Sequence, residues 1–133
     1  MKQHWILLLS ILLTFSVYAG CIDQNKPENA DSTLRDITVA QLKEKMKTDT
    51  ALVILDVRTK EELTGELPKI ESAINIPLQE LQDRIDELEP YKNKEIAVIC
   101  RTGHRSSQAY VILKKHGYKV ENVLGGMKAY LGR

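Results

Sequence analysis

From residue 36 onward, the hydrophobic residues follow two patterns. Some stretches are short, continuous apolar runs rich in Val and Ile, a pattern typical of strands that are buried on both faces of a parallel sheet. These runs occupy residues 51–57, 72–77, 95–100 and 119–124. Before, between and after them, apolar residues recur at the spacing of an amphipathic helix. These helical stretches occupy residues 37–47, 59–65, 78–88, 105–117 and 126–133.

Helix-capping signals support this division. Thr38 with Gln41, and Thr59 with Glu62, have the spacing of a capping box at a helix N-terminus. Strands that alternate with helices predict right-handed crossovers and an α/β fold, a central parallel sheet with helices on both faces. Ligands of such sheets bind beyond the carboxyl ends of the strands. By this prediction, Asp56 and Cys100 both lie at that edge.

Composition narrows the function classes. The chain has 133 residues, of which 43% are hydrophobic and 28% charged, values typical of a single globular domain. The net charge is only +1, no long basic run is present, and aromatic residues make up 5% of the chain. These values argue against nucleic acid as a partner.

The N-terminus has the pattern of an export signal. Lys2 precedes an apolar stretch, and the small residues Ala19 and Gly20 precede Cys21. This arrangement resembles a bacterial lipoprotein signal, which implies lipidation of Cys21 after removal of residues 1–20. We therefore expect a lipidated tether at 21–35, a domain at 36–133, and a membrane-anchored protein in the periplasm or at the cell surface. The alternatives are an uncleaved anchor, or an ordinary cleaved signal in which Cys21 is incidental.

The segment "CRTGHRS" at 100–106 concentrates the candidate chemistry. Successive backbone N–H groups in a turn that leads into a helix form an anion-binding concavity, and Gly103 supplies the backbone freedom for it. A thiol at that position is biased toward thiolate. The alternative is that Cys100 is a buried structural residue at the end of a strand. The glycine, the two arginines and the following helix together favour the reactive thiol.

This loop resembles the active-site loop of single-domain rhodaneses, which are sulfurtransferases. The resemblance runs from about Thr38 to the C-terminus, and three further segments carry it: "LDVRTKEEL" at 55–63, "SAINIPLQEL" at 72–81 and "VENVLGGMKAY" at 120–130. It implies that Cys100 forms a persulfide and that the loop binds the substrate sulfur, with Arg101 and Arg105 attracting an anionic donor. The implied substrate-binding residues are Arg101, Thr102, Gly103, His104, Arg105 and Ser106. Asp56 and Arg58 match a family motif and are interpreted as a structural ion pair that supports the site.

The implied reaction moves a sulfane sulfur from thiosulfate, or a similar small anionic donor, to cyanide or a thiol. It requires no cofactor and no metal, because a thiolate attacks and a stable anion leaves. Related folds perform phosphatase or arsenate reductase chemistry, but their loop is one residue longer than the four residues that separate Cys100 from Arg105. Two other possibilities stay open, a non-catalytic binding or redox module and a periplasmic sulfur carrier for a protein partner.

Overall fold

The computed structural model describes residues 34–133. The predicted signal at 1–20, the predicted lipidation site Cys21 and most of the predicted tether lie outside these residues. The described strands are β1 (Asp36–Ile37), β2 (Val53–Asp56), β3 (Ile74–Asn75), β4 (Glu95–Ile99) and β5 (Lys119–Val123). The α-helices are α1 (Val39–Thr48), α2 (His104–Lys115) and α3 (Gly126–Tyr130).

The strands form one sheet in the order β1-β5-β4-β2-β3, and every neighbouring pair is parallel. The predicted α/β class with a central parallel sheet is therefore confirmed. The sequence pattern did not predict β1, which pairs Asp36 with Asn122 and Ile37 with Val123 at the edge of the sheet. A strand of two residues is too short to show a periodicity.

Two hydrophobic cores lie on opposite faces of the sheet. Alternate side chains of a strand point to opposite faces, so Val53 and Leu55 join one core while Ile54 joins the other. The first core includes Ala109 and Leu113 of α2, whereas the second includes residues of α1 and α3. Burial on both faces explains why the strands are continuous apolar runs rather than alternating ones.

Two predicted helices differ from the expectation. The stretch at 59–65 contains a short 3-10 helix, Glu61–Thr64, and the stretch at 78–88 forms 3-10 helices at Leu78–Glu80 and Ile85–Tyr91. Pro90 lies within the last of these, and it has no N–H to continue a helical hydrogen-bond ladder. Leu81 and Leu88 are nevertheless fully buried, as their helical spacing predicted.

The sheet brings two predicted site residues together at the carboxyl ends of two neighbouring strands. Asp56 ends β2 and pairs in register with Ile99, the last residue of β4, and Cys100 follows directly. The loop from Cys100 to Gly103 then leads into α2. None of the helices within residues 34–133 combines the length and hydrophobicity needed to cross a membrane.

Candidate active site

Cys100 lies at the floor of the loop between β4 and α2. Only 1% of the residue is exposed, and the described part of the chain contains no other cysteine. Gly103 precedes α2 with a φ of 102°, a conformation that residues with a Cβ rarely adopt. This conformation turns the loop back over the sulfur, and the Gly103 N–H donates a hydrogen bond to Cys100 Sγ at 3.1 Å.

The surroundings of the sulfur favour its ionised form. Burial raises the pKa of the Cys100 thiol, but hydrogen bonding with the Ser106 hydroxyl and hydrogen bonds from the backbone N–H groups of Ser106, Thr102 and Gly103 outweigh burial and lower the pKa below its ordinary value. These donors stabilise the thiolate more than the thiol, because they interact with the negative charge. The site therefore holds a buried sulfur that ionises readily.

A chain of polar side chains, buried at Ser106 and Asn122 and exposed at Asp36, holds the Ser106 hydroxyl beside the sulfur. Ser106 Oγ lies 3.6 Å from Cys100 Sγ, 2.7 Å from Asn122 Oδ1 and 3.0 Å from the Gly103 carbonyl oxygen. The amide of Asn122 in turn donates to Asp36 Oδ1 at 2.7 Å. Because a carboxylate only accepts, Asp36 fixes the amide with its carbonyl oxygen toward Ser106. Strand β1 thus contributes to the site through Asn122.

The N-terminus of α3 supports the loop from the other side. The N–H of Met127 donates to the Cys100 carbonyl oxygen at 2.8 Å, and the N–H of Lys128 donates to the Arg101 carbonyl oxygen at 3.1 Å. Gly126 has a φ of 56°, and a Cβ at this position would lie 2.4 Å from the Cys100 carbonyl oxygen and 2.7 Å from the Arg101 carbonyl carbon. The loop and the N-terminus of α3 are therefore so close that only glycine fits at position 126.

Asp56 and Arg58 form a buried ion pair next to this loop. Each side chain is 1% exposed, and Arg58 Nη2 lies 2.7 Å from Asp56 Oδ2. The Nη1 group of Arg58 donates to the Leu67 carbonyl oxygen at 2.6 Å. The pair therefore fixes the chain between 58 and 67, and the Arg58 guanidinium is engaged within the protein rather than presented to a ligand.

Arg105 has a partner that the sequence interpretation did not name. Its Nη1 and Nη2 groups donate to Glu62 Oε2 and Oε1 at 2.6 and 2.7 Å. Glu62 Oε2 also accepts the Thr59 N–H at 3.0 Å, which is half of the predicted capping box. The hydrogen bonds from Arg105 are the main cause that lowers the pKa of Glu62 to about 2.

The other predicted substrate-binding residues surround the entrance to the loop. Arg101, Thr102 and His104 are exposed, and the ring of His104 lies 3.3 Å from the Gln108 amide. Ser106, in contrast, is completely buried. The structure therefore brings residues 100–106 together around one sulfur, with Asp56 and Arg58 behind them.

Three supporting residues were not identified from the sequence as parts of the site: Glu62, Asn122 and Gly126. Glu62 was interpreted only as a capping residue. Asn122 interrupts an apolar strand, and an amide in such a run indicates a buried hydrogen-bond partner. Gly126 belongs to a pair of glycines before a helix, a pattern that indicates close backbone approach. In the part of the chain that the structure describes, no cluster of three His, Cys, Asp or Glu residues could hold a metal ion.

Comparison with known proteins identifies relatives of this domain. The family model of the rhodanese-like domain matches residues 38–133. The chain is 40% identical over 111 residues to YrkF of Bacillus subtilis, which bears the name of a sulfur carrier protein; the match covers 83% of this chain and 57% of YrkF. The chain thus spans little more than half of that relative.

A second relative is matched over a larger share of its length. The thiosulfate sulfurtransferase PspE of Escherichia coli is 44% identical over 75 residues, which cover 56% of this chain and 69% of PspE. The crystal structure of a rhodanese-related protein from Thermoplasma volcanium has a TM-score of 0.63 and 38% identity, covering 74% of this chain and 91% of that one.

We predict that Ser106→Ala raises the pKa of the Cys100 thiol, because it removes the hydroxyl that lies 3.6 Å from the sulfur. The rate of alkylation by iodoacetamide, measured against pH, should rise at higher pH than in the unchanged protein and fall severalfold at neutral pH. Ser107→Ala is the control, since its hydroxyl donates to the His104 carbonyl oxygen instead. Identical pH profiles for all three proteins would show that the hydroxyl does not stabilise the thiolate.

We also predict that Gly126→Ala destabilises the domain by about 3 kcal/mol or more, because the new methyl group adds a clash with the loop backbone to the strain of a positive φ. Gly132→Ala is the matched control. Gly132 has a φ of 72° with nothing within 4 Å of an added Cβ, so it should lose only about 1–2 kcal/mol. Urea unfolding of both variants measures the difference, and equal losses would contradict the close approach.

Proposed function

The chain belongs to the rhodanese-like domain family, and we propose that it is a sulfurtransferase that carries a sulfane sulfur on Cys100. The observation that supports this proposal most is the ring of N–H groups and the Ser106 hydroxyl around a buried thiol of lowered pKa. Relatives bear the names of a thiosulfate sulfurtransferase and a sulfur carrier protein. We propose thiosulfate, or a similar small anion, as the donor.

In the first step, the Cys100 thiolate attacks the outer sulfur of thiosulfate. A bond forms between Sγ and that sulfur, the bond to the inner sulfur breaks, and its electron pair leaves with sulfite. No general acid is needed, because sulfite is a stable anion. The backbone N–H groups of Thr102, Gly103 and Ser106, which already bind the Cys100 sulfur, would stabilise the negative charge of the persulfide without reorganisation during the step.

In the second step, an acceptor attacks the outer sulfur of the persulfide. Cyanide would leave as thiocyanate and a thiolate as a new persulfide, and in both cases the electron pair of the broken bond returns to Cys100 Sγ. The sulfur would thus alternate between a thiolate and a persulfide of equal charge. Fixed N–H groups suit such a cycle, because they stabilise an anion in both states.

The loop length favours sulfur over phosphate or arsenate as the bound group. Four residues separate Cys100 from Arg105, and Glu62 already binds the guanidinium of Arg105 through both Nη groups. A phosphatase uses the corresponding arginine to bind the oxygens of a tetrahedral oxyanion. An arginine held by a carboxylate is poorly suited to that task.

A sulfur carrier that serves a protein partner is the second candidate function. It is favoured by the 40% identity to YrkF and by the exposed rim of the loop, where Arg101, Thr102 and His104 are accessible. The persulfide on Cys100 would be the same in both cases. The two functions differ in the acceptor alone.

We predict that incubation of the purified chain with thiosulfate adds one sulfur, a gain of about 32 Da, to Cys100. Intact-mass spectrometry measures the gain, and cyanide added afterwards should remove it. Cys100→Ser should show no gain while its circular dichroism and unfolding transition stay close to those of the unchanged protein. An unchanged mass in the native protein, with a thiol that still reacts with iodoacetamide, would contradict thiosulfate as the donor.

We further propose that the protein is an exported lipoprotein, anchored in the periplasm or at the cell surface through Cys21. This residue lies outside the described part of the chain, and the proposal rests on the sequence "VYAGC" that ends with it. We expect a bacterial host to incorporate a clickable palmitate analogue into the chain but not into Cys21→Ser. Equal labelling of both, or labelling of neither, would contradict lipidation at Cys21.

A further inference from the structure

Glu62, which lies outside the loop of residues 100–106, balances the positive charge of Arg105. Both Nη groups of Arg105 bind the two carboxylate oxygens of Glu62, a bidentate geometry that holds the guanidinium in one orientation. The two side chains are only 25% and 26% exposed. The Thr59 N–H also donates a hydrogen bond to Glu62 Oε2, so a backbone group holds the carboxylate in place as well.

This ion pair lies within electrostatic range of the reacting sulfur. The guanidinium of Arg105 interacts most strongly with Glu62 and more weakly with the charges of Cys100 and Asp56. Glu62 is ionised at every physiological pH, because its pKa is about 2. An approaching anion therefore meets the field of a neutral pair rather than that of a free arginine.

Arg101 differs from Arg105 in this respect. Its side chain is exposed and forms no hydrogen bond or ion pair with another residue among 34–133. Of the two arginines in the loop, only Arg101 thus presents an uncompensated positive charge. The loop offers a donor one full arginine charge where the sequence pattern indicated two.

We propose that Glu62 sets donor specificity: by neutralising Arg105 it reduces the advantage of the dianion thiosulfate and opens the site to sulfur donors with a single negative charge. The inference rests on the proposed sulfur transfer through Cys100. Donors with a single negative charge are thiosulfonates and persulfides, in which one anionic sulfur is attached to an uncharged group. Glu62 acts through Arg105, so it is a positioning residue that controls the charge at the site.

Two donors of the same shape isolate the effect of charge. Methanethiosulfonate differs from thiosulfate by a methyl group in place of one anionic oxygen, and the same outer sulfur is transferred. The Cys100 thiolate forms a bond with that sulfur, and the electron pair of the broken bond leaves with methanesulfinate instead of sulfite. Because the two leaving groups also differ, the effect of donor charge is read from the change between variants in the ratio of kcat/KM for the monoanion to that for the dianion, with cyanide as acceptor in both assays.

Glu62→Gln is the test variant, because the amide keeps an oxygen that accepts a hydrogen bond from Arg105 but carries no charge. We expect kcat/KM for thiosulfate to rise and the monoanion-to-dianion ratio to fall by about tenfold, an effect that should shrink as salt is added. Glu61→Gln is the matched control, because it removes the same charge from the preceding, exposed residue, whose side chain forms no hydrogen bond or ion pair with Arg105 among the described residues. Its ratio should stay within about twofold of the unchanged protein.

The double variant Glu62→Gln, Arg105→Gln provides a second test that does not depend on the single variant's folding. If the native pair is electrically neutral toward the donor, removing both charges should return the ratio to the native value. A double variant that prefers the monoanion strongly would show that Arg105 attracts the donor despite Glu62, and would overturn the inference.

The two assays distinguish the role of Glu62 from the sulfur transfer itself. If neither donor supports thiocyanate formation in the unchanged protein, the sulfur transfer itself is wrong. If both donors react but Glu62→Gln leaves their ratio unchanged at low salt, only the role of Glu62 is wrong.

Discussion

The architecture of the site depends on the buried ion pair between Asp56 and Arg58. Arg58 is among the largest fully buried side chains of the domain, and its guanidinium binds both Asp56 oxygens and the Leu67 carbonyl oxygen. A buried charge is tolerated only when such partners replace water, and the loss of one partner typically costs about 3–5 kcal/mol. The pair therefore ties the end of β2 firmly to the segment that follows it.

That segment transmits the constraint to the loop between β4 and α2. The chain after Arg58 turns through Glu61–Thr64 and presents Glu62 to Arg105, near the start of α2. A cation at a helix N-terminus is unfavourable because it opposes the helix dipole, and the Glu62 carboxylate compensates for it. On the opposite side, Gly126 allows α3 to donate to the Cys100 and Arg101 carbonyl oxygens. The loop is thus held from two directions.

Features of the fold that depend on neighbouring residues could be predicted from the sequence, whereas contacts between distant residues could not. The sheet followed from apolar runs whose cause, burial on both faces, acts within each run, and the edge that holds Asp56 and Cys100 followed from the parallel order. Glu62 and Asn122 act on residues 43 and 16 positions away, and no periodicity reports a partner at that distance. Glu62 does bind the Thr59 N–H, but the 3-10 helix that follows has Lys60 as its N-cap without a side-chain cap, so only half of the predicted capping box is present. The role of Gly126 required the position of α3 against the loop, which is a tertiary fact.

The balance of charges explains how the pKa of a thiol that is 1% exposed can still be lowered. The positive charge of each of two nearby arginines is balanced by a carboxylate: Asp56 pairs with Arg58, and Glu62 pairs with Arg105. Neither arginine therefore leaves an unpaired positive charge next to the sulfur. The stabilisation of the thiolate comes instead from the Gly103 N–H, its neighbours and the Ser106 hydroxyl. Dipoles fixed by the backbone act at short range and are screened little by salt. A site of this kind stabilises negative charge at one position, the sulfur, and in the proposed sulfur transfer the charges at its entrance would select the donor.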